Sequence, residues 1–240
     1  MTRECKADFY ELKNFIENFR ISKKLESATY LEPLKNMHKV YFSMINWNAE
    51  MVHRRKDFLL TYNDCSVGIV RRISESVSDM GASLFNWMNG SYKTSRIMMR
   101  AAIENFIRSI SAIDNKSQLT EMNVYLMFER AEGSAVLNSK AAIKKAYKQL
   151  HSDYKTLCKD THTTTLTNME QLSSLAGLPG FNKNKADASK EIYVRIAKNI
   201  SCIYCLVFIE FFHGMHHRNK ENILHSLAKD IRPIVSGIEG

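Results

Sequence analysis

The sequence predicts an all-α protein, a bundle of about seven helices, on three observations. Only 3 prolines and 9 glycines occur in 240 residues, so long stretches lack the residues that interrupt helices. Apolar residues recur at steps of three and four, which is the period of one helix face. Hydrophobic residues make up 45% and charged residues 25%, values that suit a packed globular domain. We find no convincing strand.

Each helix is predicted from its own apolar stripe and from the breaks beside it. Asn89-Gly90-Ser91, Glu132-Gly133-Ser134 and Leu178-Pro179-Gly180 are turn signals that separate the stripes. Residues 1–30 are predicted to form an N-terminal helix and a connection, and residues 31–240 a single helical-bundle domain. The predicted helices cover about 4–20, 32–60, 61–89, 94–113, 119–131, 138–160, 185–216 and 219–230, the second continuing into the third.

The charge of the chain favours an anionic partner. The formal net charge is +9 and the pI is about 9.3, which suits RNA, DNA or a membrane surface, although a merely basic soluble protein fits the totals equally well. The most apolar run, Ile200 to Phe212, includes Glu210 and is too short to span a bilayer, so no membrane partner is expected. Met1 to Arg20 is charged and amphipathic and has no targeting signal, which favours a cytoplasmic location.

The five cysteines favour a reducing compartment. Their number is odd, and Cys202-x-x-Cys205 lies in an apolar helical run rather than beside a strand. Buried reduced thiols are therefore the preferred interpretation, with a zinc half-site or a redox motif as the alternative.

Arg100-x-x-x-Glu104 is the first candidate constellation. The spacing of four places both side chains on one helix face, beside the stripe that carries Ile103 and Phe106. A half-buried pair of this kind could bind an anion or orient a catalytic group. The alternative is a plain intrahelical ion pair, worth about 0.3–0.5 kcal/mol when it is exposed.

The helix predicted at 138–160 carries the second constellation. Tyrosine, histidine and cysteine share one stripe, and lysines share another, as they would on a helix that binds a phosphate backbone. The alternative is a solvated lysine face with aromatic residues at the edge of the core. The first stripe is Tyr147, His151, Tyr154, Cys158 and His162, the second is Lys140, Lys144, Lys148, Lys155 and Lys159, and the predicted nucleic-acid contacts are Lys144, Lys148, His151, Lys155 and Lys159.

The third constellation lies near the end of the chain, where four of the eight histidines fall within thirteen residues. Six residues separate Arg218 from His225. Histidine is costly to bury without partners, so this density favours a site, although histidines also suit a helix C-terminus. An Arg followed by four to six variable residues and a His, near the end of a helical protein, resembles the motif of HEPN-type ribonucleases. Asn219 matches the polar residue often found after that Arg.

A second resemblance concerns the first two constellations. Arg100-x-x-x-Glu104 followed by Tyr154-x-x-Leu157-x-x-x-x-His162 is similar to a signature of bacterial helical proteins related to abortive-infection factors. Together the two resemblances imply a HEPN-like fold, a homodimer, and RNA cleavage that needs no metal or cofactor, in a toxin or an antiviral defence protein.

The resemblance implies roles for six residues. RNA carries its own nucleophile, the 2′-hydroxyl, so a protein need only align it, remove its proton and stabilise charge. Arg100 and Glu104 would orient the site, and Arg218 would hold phosphate. Tyr154 and His162 would shape the site or transfer protons, with His225 as the alternative proton-transfer group.

Two other functions stay open at this point. Glu50-Met51-Val52-His53 and Glu210-Phe211-Phe212-His213 match the Glu-x-x-His pattern of ferritin-like di-metal bundles, in which Glu104 and either Glu11 or Glu129 could supply further carboxylates. The basic run after His53 disfavours a cationic centre there. A non-catalytic helical module that binds nucleic acid or a protein partner through its basic faces is also compatible with the sequence.

Overall fold

The computed structural model describes residue 14, residues 21–54, residue 57, residues 66–162 and residues 177–237. These residues form a bundle of ten α-helices and contain no strand, which confirms the all-α prediction. The predicted helix at 4–20 lies outside the described residues except for Asn14. The helices are α1 (Ala28–His53), α2 (Ser66–Met88), α3 (Tyr92–Ser111), α4 (Val124–Glu132), α5 (Ala135–Asn138), α6 (Ala141–His162), α7 (Lys183–Val207), α8 (Ile209–His213), α9 (His217–Ser226) and α10 (Arg232–Ser236), with 3-10 helices at Ser22–Glu26 and Lys116–Leu119.

The hairpin of α2 and α3 and the long helix α7 organise the bundle. Helix α1 packs against α2, α7 and α9, while α6 packs against α3 and α7. The predicted core face of α3 is confirmed, because Met99, Ile103, Phe106 and Ile110 are fully buried. Residues from all the long helices join one hydrophobic cluster, which holds the exposed faces of α6, α7 and α9 in fixed positions.

The turn after α2 fixes where α7 begins. Gly90 has φ of +80°, a conformation that L side chains rarely adopt, and a Cβ there would collide with the carbonyl group of Gly180. The Gly180 amide donates to the Asn89 carbonyl at 3.1 Å, and Lys24 donates to the Gly180 carbonyl at 2.7 Å. These contacts explain why two sequence breaks far apart in the chain, at 89–91 and 178–180, lie together.

The prediction of one helix over 185–216 was wrong at Phe208. Helix α7 ends at Val207, and Phe208 has φ of −105° and ψ of +43°, outside the helical region. The interruption redirects the chain so that Phe211 and Phe212 stack on Trp47, at ring-centroid distances of 6.2 and 6.1 Å. Packing of these aromatic rings thus favours a break in the helix, even though the apolar sequence continues through it. No helix among the described residues is long and apolar enough to cross a membrane.

Candidate functional site

Arg100, Glu104 and Tyr154, predicted from two separate segments, meet between α3 and α6. The Tyr154 hydroxyl donates to Glu104 Oε1 at 2.9 Å and accepts from Arg100 Nη2 at 2.9 Å and Nε at 3.2 Å. Arg100 Nη2 also lies 3.0 Å from Glu104 Oε1. The intrahelical pair is therefore part of a three-residue group, the Arg100 cluster, that ties α3 to α6.

The Arg100 cluster is half-buried, and its three side chains bond to one another. The side chains of Arg100 and Glu104 are 25% and 20% exposed. Burial and the neighbouring Glu104 carboxylate raise the pKa of Tyr154 well above its ordinary value. The Arg100 guanidinium lowers this pKa, but by less. Tyr154 thus keeps its proton and holds a carboxylate and a guanidinium in fixed positions near the surface.

His151 is placed by an aromatic stack beside the Arg100 cluster. Its ring lies parallel to Phe128, at a centroid distance of 4.5 Å and an angle of 7°, and Phe128 also contacts Tyr154 at 4.6 Å. Burial lowers the pKa of His151, and Lys155 lowers it further while Glu132 opposes the shift. The ring therefore belongs to the edge of the core rather than to an open surface.

The lysines of α6 form an exposed basic face. Lys144, Lys148, Lys155 and Lys159 are all exposed. Asp153, the one acidic residue between Lys140 and Lys159, does not interrupt this face, because its side chain is only 3% exposed and points to α7. There it accepts from Arg195 Nη2 at 2.6 Å and from Arg195 Nε at 3.0 and 3.1 Å. We call the four exposed lysines the α6 lysine face.

A basic groove continues from this helix across the bundle. Its largest part is a cavity of about 720 Å³ between α1, α7 and the segment from His225 to Arg232. A depression of about 260 Å³ shares Arg195 and Lys198 with this cavity. A second depression, of about 470 Å³, shares Lys145 and Gln149 with the first, so the groove reaches α6. The cations of the groove are Lys39, Lys144, Lys145, Lys148, Lys190, Arg195, Lys198 and Arg232, against the acidic residues Glu191 and Asp230.

The third predicted constellation is only partly joined to the others. His225 is exposed on α9 and lines the cavity. Arg218 is exposed two helical turns before it, and among the described residues no hydrogen bond, ion pair or ring contact links either side chain to the Arg100 cluster. His162 is the last residue of α6, and its side chain lies outside the described part of the structure.

Asn219 and Glu50 attach α9 to α1. The Asn219 amide donates to Glu50 Oε1 at 2.7 Å, and the backbone N–H of His216 donates to the same oxygen at 3.2 Å. Glu50 is buried, so these bonds satisfy a carboxylate removed from water. The residue that follows the Arg in the HEPN-like motif therefore has a structural partner here.

Among the described residues the structure does not bring together the ligands that the di-metal or zinc alternatives need. Glu50 is engaged by α9 and Glu104 by Arg100, and no three His, Cys, Asp or Glu side chains among the described residues are grouped closely enough to hold an ion. Glu11 lies outside the described residues. Cys202 and Cys205 are buried and free, as predicted, and burial raises the pKa of the Cys202 thiol to about 11.

Sequence reasoning missed most of the cavity. Lys198 follows Lys190 by eight residues and Arg195 by three, spacings that share a helix face, so a search of this helix for basic residues could have found them. Lys39 and Arg232 carry no such pattern. They join the cavity only because α1 and the segment after α9 pack against α7.

Nothing matched this chain among protein-family models, curated proteins or solved structures.

Proposed function

We propose that this protein binds RNA, with the phosphate backbone lying along the α6 lysine face and in the basic groove. The observation that carries the proposal is the inward position of Asp153. Asp153 lies on the opposite side of α6 from the lysines, where Arg195 binds it, so no described acidic side chain of α6 itself interrupts the exposed surface from Lys144 to Lys159. The acidic group beside this surface is Glu132 of α4, whose Oε1 lies 3.9 Å from His151 Nδ1. Clustered lysines on one face neutralise consecutive phosphates and release their counterions.

The groove also offers groups suited to the sugar of RNA. Asn36 and Asn199 line the cavity, and an amide can both donate to and accept from a 2′-hydroxyl. Among the described residues no Phe, Tyr or Trp lines the three depressions, so contacts to phosphate and sugar should dominate over base stacking. We therefore expect weak dependence on sequence and strong dependence on salt.

The test of binding is the triple variant Lys144→Gln/Lys148→Gln/Lys155→Gln, measured by fluorescence anisotropy on a single-stranded RNA. Each lost phosphate contact should make the salt slope of binding shallower by about 0.7, and affinity at low salt should fall by at least about tenfold. The matched control is Lys35→Gln/Lys116→Gln/Lys183→Gln, which removes the same charge from outside the α6 lysine face and the groove. Equal losses in both triple variants would show that net charge, and not this surface, binds RNA.

RNA cleavage is a second candidate function, favoured by the position of His225. This exposed histidine lines the cavity beside Arg232 and Lys198, where a phosphate held by the cations would place a 2′-hydroxyl within reach of a base. The HEPN-like motif assigns proton transfer to this residue and phosphate binding to Arg218. The Arg100 cluster, which is internally paired, would then position α6.

Cleavage is tested by incubating a labelled RNA with the protein in chelator. If His225 transfers the proton, His225→Ala should lower the rate by at least about 100-fold while RNA affinity changes little. His162→Ala is the matched comparison, because the other resemblance assigns the role to that residue. Binding by the wild-type protein without cleavage in chelator would leave a non-catalytic RNA-binding module.

A further inference from the structure

The cavity between α1, α7 and the segment from His225 to Arg232 has two arginines held in fixed positions. Arg195 uses Nε and Nη2 on Asp153, and Arg232 uses Nε and Nη2 on the carbonyl groups of His225 and Leu227, at 3.1–3.2 Å. In each arginine, Nη1 makes no hydrogen bond to any residue that the structure describes. Each guanidinium is thus oriented by the protein and retains donors for a ligand, an arrangement suited to phosphate oxygens.

Two lysines add charge that other residues do not neutralise. Lys39 and Lys198 line the cavity, and neither forms a hydrogen bond or ion pair within the described part of the chain. Lys190 Nζ lies 3.9 Å from Asp187 Oδ1, and Glu191 is the acidic residue that lines the cavity. The cavity therefore carries more positive charge than a single phosphodiester needs, and a phosphate monoester, with close to two negative charges at pH 7, suits it better.

The floor of the same cavity is apolar. Val40 and Leu227 are each 2% exposed, and Val194 is half-buried beside them. Asn36 and Asn199 lie in the lining, where amides can hydrogen-bond to the edge of a base. A volume of about 720 Å³ lies within the range of about 300–1,000 Å³ typical of small-molecule sites.

We propose that this cavity binds a 5′-phosphorylated nucleotide, with the phosphate at Lys39, Lys198 and the two arginines and the base on the apolar floor. The nucleotide can be the 5′ end of an RNA strand whose following phosphates continue onto α6, and in this form the inference rests on the proposed function. A free nucleoside monophosphate has the same chemistry and is the other possible source.

The test compares two single-stranded RNAs of one sequence, labelled at the 3′ end, that carry either a 5′-phosphate or a 5′-hydroxyl. The phosphorylated RNA should bind at least about tenfold tighter, because its terminal phosphate adds charge-assisted contacts to the cations of the cavity. Lys39→Gln/Lys198→Gln should abolish that difference. Lys148→Gln/Lys155→Gln, on the α6 lysine face, should weaken both RNAs equally and keep the difference.

Calorimetric titration of the wild-type protein with adenosine 5′-monophosphate separates the two sources. Binding of the monophosphate, lost in Lys39→Gln/Lys198→Gln, supports the cavity even if no RNA binds, so the inference and the proposed function can fail separately. A preference for phosphorylated RNA without measurable monophosphate binding assigns the cavity to RNA ends. Equal affinity for both RNAs, together with no monophosphate binding, would overturn the proposal.

Discussion

Replacing Trp87 by alanine is expected to lower the free energy of unfolding by about 3–5 kcal/mol, the range for truncation of a large buried aromatic residue. Trp87 is 0% exposed and packs against Tyr30 and Tyr92, at ring-centroid distances of 5.4 and 6.4 Å. Its Nε1 donates to the carbonyl group of Ala186 at 2.9 Å, so the change also removes a buried hydrogen bond between α2 and α7. Urea denaturation followed by circular dichroism measures the loss.

Phe85 is the matched control for this substitution. It lies two residues earlier on the same helix, but its side chain is 59% exposed. Phe85→Ala should therefore change the free energy of unfolding by no more than about 0.5 kcal/mol. Similar losses in both variants would contradict the placement of Trp87 at the contact between α2 and α7.

Replacing Arg195 by methionine is expected to cost about 3 kcal/mol, because it leaves the carboxylate of Asp153 buried without a cation. Asp153 is 3% exposed, and from the other described side chains it retains only a weak bond from Gln149, at 3.3 Å. Asp153→Asn should cost less, about 1 kcal/mol, since the Arg195 side chain is already 43% exposed and can remain in water.

The double variant Arg195→Met/Asp153→Asn tests the asymmetry of this pair. Removing both charges should restore stability to within about 1 kcal/mol of the wild-type protein, because no buried charge is then left unpaired. Chemical denaturation of the four proteins completes a double-mutant cycle. Additive losses from the two single changes would contradict a direct interaction between the two side chains.

The fold was predictable where apolar periodicity is strong. Helix α3 shows this, since its core face from Met99 to Ile110 is buried as predicted. Helices α5 and α10 were missed, because segments of four and five residues are too short to show a helical period. The break at Phe208 was missed because it depends on the packing of aromatic rings on Trp47, which has no local sequence signature.

The candidate site was predictable only where its residues share a helix. The α6 lysine face follows from spacing alone, and pattern resemblance paired Arg100 with Tyr154 before their contact was known. The same spacing places Asp153 on the opposite side of α6 from the lysines, but its partner Arg195 could not be predicted, because that residue comes from another helix. The cavity likewise combines three distant segments, so its charge is a product of tertiary packing.

The salt dependence of RNA binding by the wild-type protein tests the central claim most directly. If consecutive phosphates lie on the α6 lysine face and in the basic groove, log K should fall with log salt concentration with a slope of about −3 or steeper, as expected for four or more contacts to a single strand. Anisotropy titrations of one single-stranded RNA at several salt concentrations give this slope. An affinity that does not change with salt, or no binding at low salt, would contradict the account.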